Sequence, residues 1–144
     1  MNRVRTWDVD LQTWAGSLIG EPFRWGRTDC ASIVIEAQHI MYGTYVFNVP
    51  KWKGKVKALR TLAEVKSIRA VLRKYADPVG RGFLQMGDVV LLKNGCDVLE
   101  TDGLMLVVRD YALSTSPDEG VIRVPLEAIP KKATFWRVRE RSIW

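Results

Sequence analysis

The spacing of the apolar residues changes once along this chain, near residue 80, and that change limits the folds open to it. Val9, Leu11, Trp14, Leu18 and Ile19 can share much of one helical face, which predicts a helix over 8–19. Ala31, Ile33, Val34, Ala37, Ile40 and Met41 keep the same spacing, with Gly43 as a stop, and predict a second helix over 29–42. Leu59, Leu62, Val65, Ile68 and Leu72 predict a third over 57–75, with its basic residues outward. The stretch 42–57 holds Pro50, Gly54 and the aromatics Tyr45, Phe47 and Trp52, and is expected to be irregular.

Pro78, Gly80 and Gly82 then mark a loop, and short strand-like runs follow. These are Asp88–Leu92, Leu104–Arg109, Tyr111–Thr115, Val121–Val124 and Thr134–Arg139, separated by Asn94-Gly95, Ser116 to Gly120 and Pro130. Helices first and strands second predict an α+β domain, its N-terminal helices packed on a C-terminal antiparallel sheet. One domain over 1–144 is expected, helical over about 8–75 and sheet over about 87–140.

Chemistry concentrates at the start of the second helix. Thr28 or Asp29 can cap it, since a short oxygen side chain there accepts a free first-turn N–H. Cys30 then falls in the first turn, where backbone N–H groups and the positive dipole end favour a thiolate. Trp25 is expected to wall the cleft beside it by packing.

The run Gly20-Glu21-Pro22-Phe23-Arg24-Trp25-Gly26, followed by Asp29-Cys30 and small or apolar residues, resembles the nucleophile region of the NlpC-like cell-wall cysteine peptidases. Met86-Gly87-Asp88-Val89-Val90-Leu91 resembles the Gly-Asp strand opening of that superfamily. Gly120-Val121-Ile122-Arg123-Val124-Pro125 and Phe135-Trp136-Arg137-Val138 resemble a branch found among bacteriophage tail proteins. In loose form the resemblance spans 8–140, and it implies a papain-like arrangement with Cys30 at the nucleophile position.

The family pattern then requires a histidine two residues before a glycine at the next strand. Aligning Gly103 puts Thr101 at that place. The one histidine, His39, lies nine residues after Cys30 in the same helix. At about 100° and about 1.5 Å per residue, it faces the other way, some 13 Å along the axis. A helix terminus contributes only about 0.3–1 kcal/mol to an anion, less than about one pKa unit. Arg24 and Arg27 would help only if they pointed inward, and Asp29 opposes them. Loss of the nucleophile–base unit costs such enzymes on the order of 10⁴ or more. A degenerate, inactive site is therefore expected, with Asp88 anchoring its strand turn.

Charge is placed unevenly. The net +6 arises mostly between Lys51 and Lys74, where nine basic residues face Glu64 alone. Lys53, Lys55, Lys57, Arg69 and Arg73 with Trp52, Trp136 and Trp144 are the expected partner-binding residues, Trp and Arg being common interface anchors. Lys51-Trp52-Lys53-Gly54-Lys55 mixes bases with an aromatic, but one ring without a stacking series is a weak nucleic-acid signal.

Other classes find no support. One histidine and two distant cysteines, Cys30 and Cys96, have no metal-ligand spacing, and there is no phosphate loop or dinucleotide fingerprint, so no metal or cofactor is expected. Two thiols rather than a bridge are expected in a reducing compartment. The start has no apolar core of a signal peptide, and Leu104 to Val108 is far too short to span a bilayer, so no membrane insertion is expected.

The resemblance and the missing histidine together lead to one expectation. The chain would be a structural protein of a bacteriophage tail tip or baseplate, made in the host cytoplasm and residing in the virion against other tail proteins. Two alternatives stay open: an active thiol amidase cutting peptidoglycan stem peptides through Cys30, and a basic adaptor binding nucleic acid.

Overall fold

The computed structural model describes residues 3–47, 52–65, 67–96 and 101–139. Four helices come first: α1 Trp7–Leu18, α2 Cys30–Tyr42, α3 Lys55–Val65 and α4 Ile68–Tyr75. Six strands follow: β1 Ala76–Val79, β2 Val89–Cys96, β3 Thr101–Val107, β4 Tyr111–Ser116, β5 Gly120–Pro125 and β6 Thr134–Val138. They form one antiparallel sheet in the order β1-β6-β2-β3-β4-β5. The expected α+β class, with N-terminal helices and a C-terminal antiparallel sheet, is what the chain adopts.

Strand alternation divides the core in two. Val89, Leu91, Leu104, Leu106, Leu113 and Val138 pack with Leu11, Ala15, Val34, Ala37, Met41 and Leu72 of the helices. Their sequence neighbours Val90, Val107, Ala112 and Phe135 point to the other face, against Ile129 and Ala133. Successive side chains on a strand take opposite faces, so the parity of a residue number tells which layer it enters. α2 packs on β3, and α1 packs on α2.

Three expectations need correction. The helix predicted over 57–75 is two helices. Ser67 is extended (φ −161°, ψ 159°), and its side chain accepts the Ala70 N–H at 3.0 Å, capping α4 as a new helix. Leu59, predicted inward, is exposed, because α3 buries Ala58 and Thr61 instead; Val9 of α1 is exposed too. Residues 76–79, read as loop because of Pro78, form β1. Proline is tolerated there because β1 is an outer strand, paired with β6 alone.

Arg139 ties the two halves together. Its backbone N–H reaches Tyr75 O, and its guanidinium donates to the carbonyls of Arg73, Lys74 and Ala76 at 3.1, 2.6 and 3.2 Å. These are carbonyls that the last turn of a helix cannot satisfy internally, and a cation is favoured at that dipole end.

Both outer strands are blunted. Pro78 lacks an N–H on β1. On β5, Val121 exchanges two 2.9 Å hydrogen bonds with the loop, from Gly20 N–H to Val121 O and from Val121 N–H to Glu21 O. Gly120 (φ +71°) is required beside this strap, since a Cβ there would run into Glu21 O. By strand parity the next outward-facing backbone groups belong to Arg123 and then to Pro125, which again has no N–H.

Candidate functional site

The cysteine loop is built by hydrogen bonds from short side chains. Thr28 Oγ1 accepts from Arg24 N–H at 2.7 Å and donates to Pro22 O at 2.8 Å, closing the turn that precedes α2. Of the two possible caps, Asp29 performs the role, accepting the Ser32 N–H and hydroxyl at 2.9 Å each. The same buried carboxylate accepts the Gly26 N–H at 2.5 Å and the Trp52 indole N–H at 3.1 Å. Gly26 (φ +80°) lies so close to Trp52 O that a Cβ would overlap it. Trp52 is half-buried and holds the Asp29 loop.

Cys30 is the first residue of α2, half-buried and packed against the helical core. Trp25 is half-buried, edge-on to Phe23 with centroids 4.8 Å apart. Arg24 and Arg27 are exposed, so neither turns inward to the loop. Thr101 opens β3, the strand against which α2 packs, paired in register with Cys96; its side chain lies outside the described atoms.

His39 is occupied elsewhere. Its Nδ1 is 3.2 Å from Glu36 Oε1, and its ring stacks on Tyr45 at 3.9 Å and 9°. The Tyr45 hydroxyl donates to Glu36 Oε2 at 3.1 Å, and this bond, with some desolvation and the Glu36 charge, raises the phenol above its ordinary pKa.

The two acids near the strand starts are also engaged. Asp102, on the helix side of the sheet by parity, pairs with Arg69 of α4 at 3.4 Å, so Arg69 is not simply an open cation for a partner. Asp88 accepts the Gln85 N–H at 2.7 Å, as expected of a turn anchor. Its side chain, 1% exposed, also receives two 2.9 Å bonds from Arg137, which in turn donates to Phe83 O at 2.8 Å. Parity puts Asp88 and Arg137 on the face away from the helices, with Val90 and Phe135. Asp88 cannot serve Cys30 from there.

The four sequence motifs meet in space. The Gly20 strap bonds Val121, and Gly87-Asp88 bonds Arg137. Gln38 of α2 donates to Gly87 O at 3.0 Å, while Gly87 (φ +92°) makes room for Met41.

The remaining partner candidates separate. Lys53, Lys55, Lys57 and Arg73 are exposed. Trp136 is half-buried, its indole donating to Thr134 Oγ1 at 3.1 Å. Trp144 lies outside the described residues. Among the described residues, no group of three His, Cys, Asp or Glu could hold a metal ion, and no helix is long and apolar enough to cross a membrane.

A family model described as a domain of unknown function, DUF6950, matches residues 2–138. The chain belongs to the DUF6950 family. No curated protein matches it. The DUF6950 match takes in every motif discussed above, from the Gly20 strap to Arg137.

Proposed function

We propose that this DUF6950 chain is a structural component of a bacteriophage tail tip or baseplate, built on a papain-like, NlpC-like scaffold and without peptidase activity. The observation that carries the inactive reading is the placement of the chain's one histidine. His39 bonds Glu36 and stacks on Tyr45, near the far end of the helix that Cys30 begins. A thiol nucleophile of this type needs an adjacent base to activate it and an acid for the leaving amine. The other polar groups singled out are also spent: Asp29 on its cap and Trp52, Asp102 on Arg69, Asp88 on Arg137.

Placement in a tail rests on the resemblance of residues 120–125 and 135–138 to phage tail proteins. The geometry supports a role by shape, since the motif segments hold one another, Gly20 and Glu21 bonding Val121, Gln38 bonding Gly87, and Asp88 bonding Arg137. The exposed lysines of α3 and the adjoining Lys53 supply a basic docking face.

Deletion of the coding sequence from the parent phage tests the reading. Tailless or non-infectious particles are expected, with Cys30→Ala leaving assembly and infectivity near wild type. Normal particles from the deletion would overturn the structural role. Hydrolysis of peptidoglycan stem peptides that Cys30→Ala abolishes would transfer the function to a thiol amidase.

A further inference from the structure

Phe83 is 77% exposed, the highest exposure among the large hydrophobic side chains described. It closes the short turn Arg81–Phe83, with its N–H bonded to Gly80 O at 3.0 Å and its carbonyl held by Arg137. Arg81 clamps the other side: one of its terminal nitrogens donates to Ile129 O and Pro130 O at 3.2 and 2.8 Å, and its guanidinium covers the Phe135 ring at 4.9 Å. The turn that Arg81 grips carries Lys131 and Lys132, both exposed. A large apolar side chain is thus presented on a pinned turn, next to cations, on the sheet face opposite the helices.

We infer that this surface docks an acidic polypeptide segment, with an apolar side chain of the partner seated on Phe83 and its carboxylates at Lys131 and Lys132. An aromatic on a rigid support loses little entropy on binding, which is what makes such residues interface anchors. Charge selects the partner: on this face Asp88 is neutralised by Arg137 and Asp77 is paired with Arg139 at 2.9 Å, and Glu127 lies on the turn before Ile129. A nucleic acid fits less well. Stacking binders use successive rings, and here Arg81 spends its guanidinium on carbonyls and on Phe135. The inference is independent of the tail assignment, because it rests on a surface remote from Cys30 and α3.

The test uses the full chain, isotope-labelled, with three fluorescent probes: a short peptide of alternating glutamate and leucine, its lysine-for-glutamate counterpart, and a single-stranded oligonucleotide. The acidic peptide is expected to shift the amide resonances of Arg81 to Phe83 and of Lys131 and Lys132, and to bind less tightly as salt rises. Phe83→Ala should weaken it about tenfold or more, and Lys131→Glu with Lys132→Glu should remove it. These positions are exposed, so the variants keep the fold. Shifts confined to α3, an unchanged affinity in Phe83→Ala, or equal binding of the oligonucleotide at this turn would each overturn the proposal.

Discussion

Asp88 and Arg137 lie opposite one another where β2 meets β6, joined by two parallel 2.9 Å hydrogen bonds around a carboxylate that water barely reaches. The planar guanidinium fits a carboxylate in this two-point manner, and its remaining reach to Phe83 O fixes the turn before β2.

Removing one partner strands the other. Arg137→Ala is expected to destabilise the chain by about 3–5 kcal/mol, the usual consequence of an uncompensated buried charge. Arg137→Lys should recover only part of this, because an ammonium cannot make the paired bonds. Asp88→Asn combined with Arg137→Met should cost less than the sum of the single changes. Urea-unfolding midpoints check all three, and additive single costs would refute the coupling.

Asp29 holds α2, Gly26 and Trp52 at once. Loss of the cap in Asp29→Ala should cost about 0.5–2 kcal/mol by itself. The indole N–H resonance of Trp52 should move to its solvent-exposed position at the same time. A Trp52 resonance that stays in place would show that the 3.1 Å bond is not made in solution.

Tyr45 predicts a small alkaline effect. Its folded-state pKa is raised, chiefly by the bond to Glu36, so the folded chain keeps this proton after the unfolded chain has lost it. The contribution is complete below about pH 10, the ordinary phenol value, and fades as pH rises through the higher folded value. Thermal midpoints compared between the native chain and Tyr45→Phe should therefore converge above about pH 10. A difference that is constant with pH would refute the linkage.

Nucleic-acid binding is expected to be weak. Trp52 is spent on Asp29 and Arg69 on Asp102, so α3 and its flank offer lysines without a stacking ring. Binding through 6–10 phosphate contacts would fall by roughly 10³–10⁵ between about 50 and 200 mM salt. Gel shifts at low salt should show no tight complex. Sub-micromolar binding lost on neutralising Lys53, Lys55 and Lys57 would overturn this.

What could be read from the sequence was local. The single change of apolar spacing told the class, and Asp29 and Gly43 marked the ends of α2 because capping depends on neighbours a few residues away. A Ser67 start signal was present but was masked by the apolar spacing that continues from Leu62 through Ile68. Pro78 pointed to a loop because proline is compatible with an outer strand only after the strand order is known. The pairings Asp88–Arg137, Asp29–Trp52 and Arg69–Asp102 span 49, 23 and 33 residues, and no local pattern announces them. Arg139 belongs with them: nothing in Arg137-Val138-Arg139 says that the first meets the buried Asp88 while the second meets the exposed Asp77 and ends a helix. Phe83 was missed for a different reason, since a short Gly-flanked turn gives no sign of how far its side chain projects.

The Gly20–Glu21 strap and the two outer-strand prolines have a consequence for crowding. An open strand invites a second copy to continue the ladder, and each addition exposes a new open strand, so the process feeds itself. Here β1 is interrupted at Pro78, and β5 is occupied at Val121 and interrupted at Pro125. Neighbours must therefore engage the molecule through side chains on defined patches, where each contact ends with the pair that forms it. Many copies can then be held at high local density without stacking into a fibre.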